Sequence, residues 1–257
     1  MKEFFGIGGY QREPEGYMSW QHLTFVSSLV LVMILLAVFL GLRNKNKELN
    51  KKNVVLIWSA ILIDGLELFK IVLHCVIAKD PLGWLYNLPL FLCSIQLITI
   101  PLAAFSKGRV REASLDFVAI FGVLGAVLGT YGAGQNYNAY PVLSFDNVVS
   151  GVTHCISGFC SLYIMISGMT CMKKNNIVIT FGILFSFCIL AYIANIVLDY
   201  NYMFLMRGDG TPYDIFYNLV NGSKVLYPII VVVLFVLYIT AFYYSFFFIK
   251  NKQSKKD

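Results

Sequence analysis

Residues 21–42 read QHLTFVSSLVLVMILLAVFLGL, a run without Asp, Glu, Lys or Arg. A helix needs roughly 20 mostly apolar residues to cross the hydrocarbon core of a bilayer. This run meets that requirement, and it decides the class of fold. Working outward, the same pattern returns at 53–77, 84–106, 113–133, 147–170, 177–199 and 224–249, each predicted to be helical. Of the 257 residues, 58% are hydrophobic and 13% charged, and the mean hydropathy is +0.70. A soluble domain with that balance would be anomalous. The expected architecture is therefore all-α: a polytopic bundle of seven transmembrane helices. The connections are too short for a second folded unit, so 1–257 reads as one integral membrane domain.

The charges orient the bundle. Threading seven helices puts Arg43, Lys45, Lys47, Lys51, Lys52, Lys107, Arg109, Arg111, Lys173, Lys174, Lys250, Lys252, Lys255 and Lys256 on one side. The other side receives only Lys2, Arg12, Lys79, Arg207 and Lys224, and Lys70 lies within the second helix. The positive-inside rule then predicts an outer N-terminus and a cytoplasmic C-terminus. The net charge of +6 belongs to these loops and the tail, which face anionic lipid head groups. It calls for no nucleic-acid partner. Glu3, Glu13 and Glu15 precede the first apolar run, which is wrong for a signal peptide, so no cleavage is expected. Lys outnumbers Arg, and with much Ile, Asn and Phe the composition fits a bacterial cytoplasmic membrane.

The cysteines are Cys75, Cys93, Cys155, Cys160, Cys171 and Cys188. None forms a CxxC pair, and all fall within or at the ends of predicted helices. Neither a zinc site, a cofactor site nor a disulfide framework is expected; the default for such a residue is a small hydrophobe. In the fourth helix Gly122, Gly125, Gly129 and Gly132 read as a surface for close helix packing in lipid. Residues 134–146 and 200–222, rich in Tyr, Asn and Gly, cap the outer side as interfacial anchors or as a vestibule over a pocket.

Ionisable groups within a span face the bundle interior by default. The second helix carries Asp64, Glu67, Lys70 and His74, whose steps of three and four keep them on one face. The stripe is either a self-satisfied network, with Lys70 pairing Glu67, or the lining of a polar cavity. At about 1.5 Å per residue, Cys93, His154 and Glu67 fall in one layer about 10–15 Å below the outer surface. A thiol with an imidazole is a nucleophile with its base. Glu67, Asp64 or the amide of Asn195 would fix the imidazole, and Gln96, Ser94 or a backbone N–H would face the oxyanion. His22, beside Trp20, is an interfacial anchor or a second polar group at the pocket mouth.

At these residues the chain resembles a known family. Leu88-Pro89-Leu90-Phe91-Leu92-Cys93 resembles the LPLxLC signature of the YwaF-like membrane proteins, the transmembrane protein 164 family. Trp20-Gln21-His22-Leu23 is similar to their first-helix His motif, and Asn201-Tyr202-Met203-Phe204-Leu205 to their NYMFL motif. Phe91 departs from the polar residue, commonly His, that relatives carry at its position. Vertebrate members are described as Cys-dependent phospholipid acyltransferases with an essential Cys and His. The resemblance implies Cys93 as nucleophile, His154 as base, Asn201 and Tyr202 at the substrate pocket, and a phospholipid or lysophospholipid as partner. The expected activity is acyl transfer through a thioester, or lipid hydrolysis when water is the acceptor. The rival readings are a transporter or ligand-binding sensor with a polar intramembrane pocket, and a structural membrane partner with no ligand.

Overall fold

The computed structural model describes residues 1–170 and 172–253; Cys171, Lys255 and Lys256 lie outside the described residues. The described chain is all-helical, with no strand among the described residues. In chain order the helices are α1 (Trp20–Asn44), α2 (Leu49–Ala78), α3 (Gln96–Phe105), α4 (Gly108–Thr130), α5 (Gly134–Ala139), α6 (Phe145–Ile166), α7 (Ile177–Leu198), α8 (Asp214–Leu219) and α9 (Leu226–Gln253). Five stretches are long and apolar enough to cross a membrane: α1, α4 running on through α5, α6, α7 with the turn before it, and α9. α2 spans 30 residues but carries Asp64, Glu67 and Lys70 in its second half. α3 has only 10 residues.

Predicted helix 84–106 is where the structure departs most from the sequence reading. It is broken into a 3-10 turn at Gly83–Asn87, an irregular stretch at 88–95, and α3. Cys93 consequently lies in a turn rather than within a helix. The cause is Pro89, which has no N–H to give a helix and forces the residue before it towards extended backbone. Leu88 obeys, with φ −62° and ψ 146°.

α4 is the buried axis of the bundle, its residues Ala113 to Gly122 withdrawn from the surface as an unbroken run. It packs most extensively on α6, and also on α3 and α7. The α4–α6 approach is close because small residues line it. A Cβ added at Gly122 would meet the Ser157 carbonyl at 2.5 Å, and one at Gly158 would meet the Ala126 Cβ at 2.6 Å. The sequence reading of the α4 glycines as a packing surface holds at Gly122.

Near the start of α4 the carboxylate of Asp116 gathers three elements. It is 1% exposed and accepts from the Thr170 hydroxyl, from Asn176 Nδ2 at 2.9 Å and from the Tyr243 hydroxyl at 3.1 Å. α4, the start of α7 and α9 are thereby tied at one point. Asp116→Ala strands these donors, and each buried donor left unsatisfied costs about 1–3 kcal/mol. The expected result is a clear drop in the thermal melting temperature of the detergent-solubilised protein. An unchanged melting temperature would remove Asp116 from the list of groups holding the fold.

Candidate functional site

A cavity of about 70 Å³ lies between α2, the turn before α3, and α6. Ile63, Glu67 and Lys70 line it from α2, Cys93, Ser94 and Leu97 from the turn and α3, and Ser150, Thr153, His154 and Ser157 from α6. Cys93, Ser94 and His154 all line it, with the thiol near the imidazole and the Ser94 side chain.

The tautomer of His154 follows from its partner. Nδ1 lies 2.7 Å from the carbonyl oxygen of Ser150, one turn earlier on α6. A carbonyl oxygen can only accept, so Nδ1 carries a proton, and in the neutral ring Nε2 presents the lone pair. A neutral imidazole with its bare nitrogen available to a thiol is the arrangement a general base needs. The orienting acceptor is thus a backbone carbonyl, in place of the Glu67, Asp64 or Asn195 expected from sequence.

The pair rests on a glycine platform. A Cβ added at Gly129 would lie within the His154 ring, against Cδ2 and Nε2. A Cβ at Gly125 would sit 3.4 Å from the Cys93 Cβ. The two glycines are one helical turn apart on α4, so one helix face seats both side chains. Sequence reasoning read these glycines for packing alone. The pairing of their four-residue step with the Ser150–His154 step was visible but carried no sign that the two helices face each other.

The remaining expected residues occupy different places. Glu67 and Lys70 line the cavity and pair with each other at 2.6 Å. His74 has left this pair for Asp146, 2.6 Å away, which also accepts from the Tyr10 hydroxyl at 2.7 Å. Asp64 is half-buried on α2, and one of its oxygens is buried without a hydrogen-bond partner among the described residues. Gln96 is fully buried and accepts from the Thr99 hydroxyl; neither it nor Asp64 is among the cavity-lining residues. His22 is fully buried and satisfied: the Met18 N–H donates to its Nδ1 at 3.2 Å, and its Nε2–H donates to the Thr130 carbonyl at 3.1 Å. It ties the start of α1 to the end of α4 and lies away from the cavity wall.

Asn195, Asn201 and Tyr202 support the site without lining it. Asn195 clamps the backbone of Tyr202, accepting from its N–H at 2.5 Å and donating to its carbonyl at 3.0 Å. Asn201 closes the following loop, donating to the Arg207 carbonyl at 2.8 Å and accepting from the Met206 N–H at 2.9 Å. The Tyr202 hydroxyl then donates to the Leu85 carbonyl at 2.6 Å and accepts from the Leu88 N–H at 3.3 Å. Phe91 packs edge-on against the Tyr202 ring at 5.2 Å and lies 5.9 Å from Phe204. The 200–205 segment is therefore the seat of the Cys93 turn, and neither 134–146 nor 200–222 lines the cavity.

Fold and site together define an all-helical, membrane-type protein with a half-buried cysteine and histidine on one cavity wall. The TMEM164 family profile matches residues 17–244, and the chain belongs to that family. No curated protein and no solved structure matches the chain.

Gly129→Ala is expected to expel the His154 ring and separate it from Cys93, whereas Gly125→Ala, at ordinary contact distance, is expected to be mild. Alkylation of Cys93 by iodoacetamide, timed by peptide mass spectrometry, reads the difference. Equal rates in the two variants would mean that the platform does not hold the pair.

Proposed function

We propose that this protein transfers fatty acyl groups between phospholipid and lysophospholipid through a thioester on Cys93. The observation that carries the reading is the His154 ring, whose Nδ1 is held by the Ser150 carbonyl so that Nε2 is the nitrogen left for the Cys93 thiol on the same cavity wall. In the first half, Cys93 Sγ attacks the ester carbonyl carbon while its proton passes to His154 Nε2. The tetrahedral intermediate collapses, the C–O bond breaks, and the departing lysolipid oxygen takes that proton. In the second half, an acceptor hydroxyl gives its proton to Nε2 and attacks the thioester. The C–S bond breaks and Cys93 recovers the proton. Water as acceptor turns the same steps into hydrolysis. No redox partner is needed, since every step is acyl substitution.

The cavity holds an ester group rather than a whole lipid, so the acyl chain and head group extend beyond it. Lys70 lies two helical turns along α2 from Ile63, a polar and an apolar lining separated by about 10 Å of helix rise. That spacing suits a phosphodiester at one end and a chain at the other. The topology that goes with this reading has seven crossings. α2 and the broken segment ending in α3 join the five apolar spans, with the N-terminus outside and the C-terminus in the cytoplasm of a bacterial cell. Discontinuous helices with irregular backbone at membrane depth are tolerated where they are buried in protein or line a cavity, and functional sites often use them.

The purified protein incubated with phospholipid donors is expected to gain an acyl adduct that hydroxylamine removes, read by intact-protein mass spectrometry. Cys93→Ser should show none, and His154→Ala should form it about 100-fold or more slowly. Absence of adduct on the wild type, with the donor unchanged, would refute the acyl-enzyme. A second reading, a transporter, has the Glu67–Lys70 pair on the cavity wall in its favour, because ion coupling uses intramembrane carboxylates. In that case Glu67→Gln would abolish function and Cys93→Ser would spare it.

A further inference from the structure

Serines and threonines within these helices habitually return their hydroxyl to the carbonyl one turn back. Ser59 donates to Val55, Thr99 to Ile95, Thr130 to Ala126 and Ser186 to Gly182. This local bond is the cheapest way to satisfy a hydroxyl in an apolar setting. Ser157 does not make it. Its residue is 3% exposed, and its Oγ is buried with no hydrogen-bond partner among the described residues. An unpaired buried hydroxyl carries a desolvation cost of about 1–3 kcal/mol. Ser114 shares the condition, but Ser157 lines the cavity beside Cys93 and His154.

Its placement is set by helix geometry. Ser157 follows His154 by three residues on α6, so the two share a face. Its backbone carbonyl is pressed against Gly122 of α4, while the residue lines the cavity. Across that space stands the Cys93 turn. The N–H of Ile95 bonds to Phe91 and that of Gln96 to Cys93, whereas the N–H groups of residues 91–94, Ser94 among them, have no hydrogen-bond acceptor among the described residues. The N–H of the residue following a nucleophile, at a sharp turn into a helix, is well placed for an oxygen that becomes negative when the nucleophile attacks. The cavity wall thus offers a thiol, a base, and two donors with nothing to donate to.

We infer that the Ser157 hydroxyl and the Ser94 N–H form the oxyanion hole of the Cys93–His154 site, and that Ser157 is a catalytic residue. The inference rests on the acyl-transfer reading and names the group that reading leaves unassigned. As Cys93 Sγ bonds to the ester carbon, the carbonyl π pair moves onto oxygen. Ser157 and Ser94 donate to that oxygen until the C=O bond re-forms and the leaving oxygen departs. Donors already in place, in a site sheltered from water, stabilise this charge without reorganising.

The test compares two reactions of the same thiol. Wild type and Ser157→Ala, in detergent micelles, are treated separately with p-nitrophenyl butyrate and with iodoacetamide, and modification of Cys93 is timed by peptide mass spectrometry. Acylation passes through an oxyanion; displacement of iodide from iodoacetamide does not. Loss of one oxyanion donor costs about 100-fold in rate, so Ser157→Ala should acylate about that much more slowly and alkylate at the wild-type rate. Ser157→Thr, which keeps the hydroxyl, should acylate much closer to wild type than Ser157→Ala does. Equal acylation of wild type and Ser157→Ala would overturn the inference and leave acyl transfer intact. An equal loss in both reactions would also overturn it, assigning Ser157 to the shape of the dyad. A wild-type Cys93 that alkylates but never acylates would sink the acyl-transfer reading and the oxyanion hole with it.

Discussion

In the bilayer core no water is available to backbone N–H and C=O groups, so each needs a partner within the protein. A helix meets that need by itself; a broken helix does not. Pro89 breaks the segment before Cys93, and the cost must be met from elsewhere in the chain. Tyr202 meets part of it by bonding both the Leu85 carbonyl and the Leu88 N–H. Asn195 holds Tyr202 in position by both of its backbone groups, and Phe91 is packed by Tyr202 and Phe204. The LPLFLC and NYMFL segments are thus two halves of one device, more than 100 residues apart in the chain. One puts the thiol on a turn and the other makes the turn tolerable.

The same break explains the chemistry available at Cys93. Within an intact helix its neighbours' N–H groups would be spent on carbonyls one turn back. In the turn, Ser94 keeps its donor and the thiol stands at the start of α3. His154 approaches from the opposite wall only because Gly129 and Gly125 leave no side chains between α4 and the pair. Small residues here serve two ends at once. They let α4 and α6 pack closely, and they leave the volume in which an imidazole and a thiol come together.

Most of the fold was legible in the sequence. The apolar runs mark the helices to within a few residues, because a span must be long and apolar whatever it packs against. The broken segment was misread, since its hydropathy is uninterrupted and Pro89 was absorbed into a motif rather than read as a helix breaker. The pairing of Glu67 with Lys70 was also legible, because three residues on one helix fix the geometry locally. Asp116, which carries much of the tie between α4, α7 and α9, left no mark in sequence: its partners come from the segments around Thr170, Asn176 and Tyr243.

For the site, sequence by itself offered Cys93 and His154 as a candidate pair. Residue types and approximate depth bring Cys93 and His154 to one layer; that both line one cavity is a fact of packing. Only the tertiary structure decided what surrounds them. It replaced Glu67 and Asn195 by the Ser150 carbonyl as the orienter of His154, and moved Asn195, Asn201 and Tyr202 from the pocket to its support. It also brought Ser157 onto the cavity wall. Depth along a helix is counted in residues and so is written in the chain. The direction in which each helix turns its face is set by packing against its neighbours, and that is known only when all of them are in place.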